Sequence, residues 1–247
     1  MIKKKILILG GSGTIGSYIN YFLSQNRNNE IINVDIKKPK KIKNTSFIKF
    51  NLLNFKNYQS LEKKISKKIN KIDVLINCAA MVGTTKEKGW NEKFEKQSLS
   101  SWQRCIDTNL TSSFYSTQVL YNLLKKSQKP KIINFSSIYG FTAPRFEIYN
   151  KTKKNNQIAY SVSKAGIIQL TKWLSSYLDK KFSVNCVSFG GLSDSKMDKK
   201  FKRNYSKFTF KKRMMKIDDI RPVIEFLIET DYTTGQNLVI DGGWSTF

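Results

Sequence analysis

Short apolar runs punctuate this chain, and most are followed by a stretch with helical spacing. Residues 6–9 are wholly apolar and lead through a glycine-rich turn to Tyr18, Ile19, Phe22 and Leu23, which share one face of a helix. The segments 31–34, 47–50, 74–76, 132–135, 183–187 and 238–240 are further largely apolar runs, too short for helices. Between 54 and 70, Phe55, Tyr58, Leu61 and Ile65 recur at helical spacing. A polar segment runs to about Ser100, and helices are predicted over 101–126, 159–178 and 220–228. Buried strands alternating with helices predict an α/β fold, a parallel sheet covered on both faces. No repeat, linker or low-complexity tract divides the chain, so one domain over 1–247 is expected.

The composition removes several classes. Of 247 residues, 40% are hydrophobic, enough for a core. No apolar run approaches the ~18 residues of a membrane span. The start, with Lys3, Lys4 and Lys5 before the first apolar run, imitates a signal peptide, but that run is too short and enters a glycine loop. A cytoplasmic protein is expected, and Cys78, Cys105 and Cys186, odd in number and widely spaced, fit a reducing compartment. With no histidine, Ser-His-Asp and Cys-His catalysis and histidine-ligated metals are excluded. The net charge of +26 suggests an anionic partner such as nucleic acid. The lysines are spread along the whole chain and arginine is scarce, which favours a solvated lysine-rich surface, and nucleic acid is not an expected partner.

The glycine turn changes the picture. Gly10, Gly11, Ser12, Gly13, Thr14, Ile15 and Gly16 follow the first strand and open a helix, an arrangement that brings backbone N–H groups to a pyrophosphate. Asp35 ends the second strand 19 residues after Gly16, where a carboxylate accepts hydrogen bonds from an adenosine ribose. A carboxylate there repels a 2′-phosphate, so NAD is expected rather than NADP, although Lys37 and Lys38 follow closely.

Tyr160 and Lys164 are four apart in a predicted helix and share a face. A nearby ammonium lowers a phenol's pKa from its ordinary value of about 10. Upstream, the strand 132–135 runs into Ser136 and Ser137 at the carboxyl end, where ligands sit in such sheets and a hydroxyl can meet a substrate oxygen. Asn109 stands mid-helix, a locally unfavourable position that hints at a polar role.

Taken in order, the glycine loop, Asn77-Cys78-Ala79-Ala80, Asn109, Ser137, Tyr160-x-x-x-Lys164, Gly190-Gly191 and Asp241-Gly242-Gly243 resemble the short-chain dehydrogenase/reductase family over essentially the whole chain. The resemblance implies a Rossmann-type, doubly wound, seven-stranded parallel sheet in a single domain. It implies that Tyr160 is the catalytic acid/base, that Ser137 polarises the substrate oxygen, that Lys164 binds the nicotinamide ribose and lowers the pKa of Tyr160, and that Asn109 holds a proton-relaying water. It further assigns Asn51, Leu52, Asn77, Ala79, Gly190 and Leu192 to the cofactor site and implies a homodimer or homotetramer. The chain departs from the family pattern at Thr14, usually glycine, at Asn51, usually aspartate, at Cys78 and Ala80, and at Phe189, usually proline.

Ser137 and Tyr160 are 23 residues apart, longer than in most short members, which places an insert at 141–159 beside the substrate pocket. A second variable segment, 195–216, corresponds to the substrate lid. Both are basic: Lys151, Lys153 and Lys154 in one, and Lys196, Lys199, Lys200, Lys202, Arg203, Lys207, Lys211, Lys212 and Arg213 in the other. They would suit an anionic small-molecule substrate, with lysine-rich composition as the competing account. The insert's Phe146-Glu147-Ile148-Tyr149 looks like that of the flagellin modification protein A subgroup, oxidoreductases of nonulosonic-acid sugar pathways such as that to legionaminic acid. The expectation is an NAD-dependent oxidoreductase interconverting a secondary alcohol and a ketone on a sugar phosphate or nucleotide-linked amino sugar. The alternatives are a 3-oxoacyl-carrier-protein reductase and a non-catalytic nucleotide-binding regulator or nucleic-acid binder.

Overall fold

The structure, a computed structural model, describes residues 3–150, 152 and 155–246. Seven parallel strands form one sheet in the order β3-β2-β1-β4-β5-β6-β7, with β1 Lys4–Leu9, β2 Asn29–Asp35, β3 Thr45–Lys49, β4 Val74–Asn77, β5 Lys131–Ser137, β6 Ser183–Phe189 and β7 Asn237–Ile240. The order reverses between β1 and β4, and at that point a doubly wound sheet opens a crevice.

The strand pattern explains the two layers. Side chains alternate faces with period two. Leu7, Leu9, Ile32, Val34, Leu75, Ile132 and Val184 pack on one side with the helices α2 (Tyr58–Ser66), α5 (Tyr121–Lys125) and α6 (Ile158–Tyr177). Ile6, Ile8, Ile31, Val74, Ile76, Ile133 and Val187 face the other, against α1 (Thr14–Ser24) and α8 (Arg221–Glu229). Strands buried on both faces are nearly continuous in apolar character, as the sequence reading required.

The predicted helix over 101–126 is not continuous. It begins as α3 (Leu99–Ile106), widens into a π-turn at Asp107–Thr111, resumes as α4 (Ser112–Val119), and breaks at Leu120 before α5. The π-turn surrounds Asn109, whose side chain bonds backbone outside the helix. Behind it, Ser112, Ser113 and Thr117 donate to the carbonyls of Thr108, Asn109 and Ser113 one turn back. Such back-bonding bends helices. The polar segment before α3 is anchored by Trp90, which is buried against Met81, Cys105 and Ala159.

Segment 195–216 carries one further helix, α7 (Lys199–Lys207). Its base is closed by Leu192 bridging Met215, with Met215 N–H bonded to Gly191 O and Ser193 N–H to Met215 O.

Candidate active site

The glycine loop joins β1 to α1 at the crevice. Gly10 has φ +82°, and a Cβ there would stand 2.5 Å from the Ala79 backbone. A Cβ on Gly16 would lie 2.3 Å from Gly10 O. These two glycines are therefore demanded by packing. Gly13 differs: its Cβ would approach nothing closer than Gly10 O at 3.5 Å, and Gly13 and Thr14 are both exposed. Among the described residues no side chain caps the N-terminus of α1. Free N–H groups, a positive helix end and an open cradle fit the pyrophosphate of a dinucleotide.

Asp35 organises this loop. Its Oδ2 accepts the Ser12 N–H at 2.9 Å and its Oδ1 the Lys37 N–H at 3.0 Å, while Ser12 Oγ donates to Lys37 O at 2.7 Å. A carboxylate has about four acceptor sites, so one bond to each oxygen leaves room for ribose hydroxyls. The Lys37 and Lys38 side chains are exposed.

The other expected cofactor residues differ in setting. Ala79 packs against Gly10. Asn51 is exposed, and its Oδ1 accepts the Leu53 N–H at 3.0 Å. The Leu52 side chain lies in the core, with its carbonyl taken by the Tyr58 hydroxyl at 2.8 Å. Asn77 is turned into the sheet, where its Nδ2 donates to Asn134 Oδ1 at 2.8 Å and its buried Oδ1 has no partner among the described residues. Gly190 follows β6, and a Cβ on it would come within 3.0 Å of the Asp241 Cα.

The catalytic candidates converge at the carboxyl end of β5. Ser137 is its last residue, and its side chain hydrogen-bonds Tyr160, which sits in the first turn of α6. Lys164 follows one turn later and is buried, its Nζ donating to Phe135 O at 2.6 Å and lying 5.8 Å from the Tyr160 ring centroid. Asn109 Oδ1 accepts the Met81 N–H at 2.6 Å, and its Nδ2 donates to Met81 O at 3.2 Å and to Ser163 Oγ at 3.0 Å. That side chain is thus held by Met81 and Ser163, and it ties the π-turn to α6.

The electrostatics correct one expectation. The pKa of Tyr160 is raised, not lowered: burial dominates, and the Ser137 hydrogen bond pulls the other way. Lys164 is itself pulled down to about 8 by burial. Desolvation penalises both charged forms and is the largest cause for each.

The insert and lid meet over the site through aromatic rings. On α7, Phe201 and Tyr205 point inward, joining Ile138, Ile148, Met214 and Trp244. Tyr205 stacks on Trp244 with centroids 4.3 Å apart. Arg145 of the insert sits over Phe208 and Trp244. Lys199, Arg203 and Lys207, spaced four apart on the opposite side of α7, are exposed. Lys196, Lys211 and Lys212 are exposed too, and Arg213 is paired with Asp219 at 2.6 and 3.0 Å. Lys200 and Lys202, flanking Phe201, are half-buried, and the part of the lid packed on the insert is the aromatic side of α7. Lys151, Lys153 and Lys154 lie outside the described residues. Sequence reasoning named Tyr149 only as part of the insert's motif and passed over Tyr139, Tyr205 and Trp244; the concentration of aromatics in the insert and lid was the available signal.

Comparison with known proteins gives relatives in sequence and in fold. A sequence model described as short chain dehydrogenase matches residues 4–206. The chain is 36% identical to post-translational flagellin modification protein A of Campylobacter coli over 182 residues, covering 72% of this chain and 69% of that protein. It is 28% identical to a 3-oxoacyl-[acyl-carrier-protein] reductase of Chlamydia pneumoniae, covering 98% of this chain and 97% of the other. Among solved structures it resembles a short chain dehydrogenase from Leptospira borgpetersenii with bound NAD+, with a TM-score of 0.87, 31% identity, and 99% and 94% of the two chains covered.

Proposed function

Starting from the fact that this chain belongs to the short-chain dehydrogenase family and is an oxidoreductase, we propose that it interconverts a secondary alcohol and a ketone on a sugar derivative, with NAD as the preferred cofactor. The sugar phosphate or nucleotide-linked amino sugar of a bacterial surface glycan or flagellin modification pathway is the substrate class of this reading. It is supported by the 36% identity to a flagellin modification protein. The observation that carries the chemistry is the Ser137–Tyr160 hydrogen bond at the end of β5, with Lys164 one turn on and the glycine loop across the crevice.

The nicotinamide, when bound, gives or takes the hydride. Gly10, Ser12, Gly13, Thr14, Ile15 and Gly16 would hold the pyrophosphate, and Asp35 the adenosine ribose. In reduction, Tyr160 delivers its proton to the carbonyl oxygen as negative charge develops there, and Ser137 hydrogen-bonds the same oxygen. A Tyr160 pKa above its ordinary value keeps the phenol protonated, which suits the donor role in that direction. Asn109 fixes α6 through Ser163, whose Oγ donates to Tyr160 O at 2.7 Å.

Tyr160→Phe keeps the ring and removes the proton donor. NADH should bind as before while turnover falls by at least about a hundredfold, the lower range for lost general acid catalysis. Activity near that of the unaltered protein would refute the assignment. The full-length similarity to a 3-oxoacyl-carrier-protein reductase supports a second reading, a reductase of acyl thioesters. Parallel assays of NADH oxidation with a keto nucleotide sugar and with an acetoacetyl thioester separate the two.

A further inference from the structure

Next to Ser137 and Tyr160 stand two phenols that the reaction, as derived, does not use. Tyr139 follows Ser137 by two residues, and its N–H donates to Ser137 Oγ at 3.3 Å. Tyr149 comes from the short 3₁₀ turn Phe146–Tyr149 of the insert. Their hydroxyl oxygens are 3.1 Å apart, and Asn156 Nδ2 donates to the Tyr149 hydroxyl at 3.3 Å. Burial raises the pKa of both, so they remain neutral.

Counting protons exposes an imbalance. A phenol has one proton to donate and can also accept. The pair holds two protons and uses one in the bond between the rings. Asn156 adds a donor, and its Oδ1 faces Ser161 Oγ at 3.5 Å, so it offers the pair no acceptor. One phenolic proton is left with no acceptor among the described residues. Both residues are only partly buried. Of the charged residues of the insert near the pair, Glu147 is exposed and Arg145 is held over Phe208 and Trp244.

We propose that the Tyr139–Tyr149 pair is a specificity-determining element that donates a hydrogen bond to a neutral oxygen, a hydroxyl beside the reacting carbon of the substrate. The ligand class is a hydroxy ketone or vicinal diol, as in a sugar ring. This deepens the alcohol–ketone reading and rests on it. A site built to hydrogen-bond a substrate hydroxyl discriminates against the analogue lacking it.

The test uses the full-length enzyme with NADH and two ketones differing by one hydroxyl, 2-hydroxycyclohexanone and cyclohexanone. Each reduction consumes NADH and a proton and yields the alcohol and NAD+. The unaltered enzyme should favour the hydroxylated ketone by about tenfold in kcat/KM, roughly the value of one net hydrogen bond. Tyr149→Phe and Tyr139→Phe should each bring the ratio to about one, and the double variant should lower it no further, because the two hydroxyls act as one unit. A ratio near one in the unaltered enzyme, or an undiminished ratio in both single variants, overturns the proposal. So does an equal loss for both ketones, the mark of a purely structural role. If NADH binds but neither ketone is reduced, the alcohol–ketone reading itself fails, and the pair's role falls with it.

Discussion

Three residues show how far a side chain's neighbours decide its chemistry. Lys164 is the first. Burial brings its pKa to about 8, so its charge is lost within reach of ordinary assay conditions. The rate of carbonyl reduction should fall as pH rises through about 8. Lys164→Arg, which keeps its charge, should be slower but should move that limb to higher pH, as a pH–rate profile would show. An unmoved limb would belong to another group. The sign for stability follows: the folded protein resists protonating Lys164, so this residue costs stability below about 8 and the cost fades as pH rises toward 10.5. Tyr160 is the second, a phenol held protonated by burial against the pull of Ser137. Asp35 is the third. NADH should bind at least about tenfold tighter than NADPH, a difference of ~1.4 kcal/mol. Asp35→Asn should narrow that gap while keeping an acceptor for the loop, whereas alanine would also release the Ser12 and Lys37 amides. Fluorescence titration of both cofactors checks it, and a preference for NADPH in the unaltered protein would transfer the site to Lys37 or Lys38.

At the scale of elements, the site depends on how closely α6 approaches the end of β5. Gly140 marks that approach: a Cβ there would stand 2.8 Å from the Lys164 backbone and 2.6 Å from Ser136 Oγ. Ser136 Oγ in turn donates to Lys164 O at 2.8 Å. Gly140→Ala should therefore push α6 away, destabilising the fold by about 1–3 kcal/mol as overpacking does. Turnover should fall further than NADH affinity, because Tyr160 and Lys164 ride on α6 while the glycine loop does not. Thermal melts and steady-state kinetics on one preparation separate the two effects, and an unchanged melting temperature would show that the approach is slack. The π-turn at Asp107–Thr111 is a second such joint, bringing the Asn109 amide within reach of Met81 and Ser163.

For the molecule as a whole, charge and exposed apolar surface oppose one another. Ile158, Val162, Trp173 and Tyr177 are exposed along α6, and Phe114 is exposed on α4. A homodimer or homotetramer is the assembly proposed here, with these faces as its contact. The net charge of +26 repels a second copy. Association should therefore strengthen between about 0.02 and 0.2 M salt as the screening length shrinks toward ~8 Å. Trp173→Glu should shift sedimentation toward the monomer, and a monomer at every salt concentration would end the oligomer reading. Among the described residues no helix is long and apolar enough to cross a membrane.

The order of elements was legible in the chain, because strands buried on two faces must be apolar throughout and because a glycine loop between strand and helix has few other uses. Gly10, Gly16, Asp35, Ser137, Tyr160 and Lys164 could be picked out by type and spacing. Their settings could not. The helix expected to be continuous over 101–126 is interrupted by a π-turn at Asn109, which bonds Met81, a residue 28 positions away that no local periodicity reports, and it breaks again at Leu120. The pKa of Tyr160 went up because burial is a property of the packed molecule, not of its neighbour four residues on. The lid looked basic in sequence, yet turns Phe201 and Tyr205 inward, since a helix joins the fold by its apolar side and leaves lysines to water. Sequence fixes which chemical groups are available; only the packed fold sets their distances, their dielectric surroundings and their remaining hydrogen-bond capacity, because each depends on atoms brought together from distant parts of the chain.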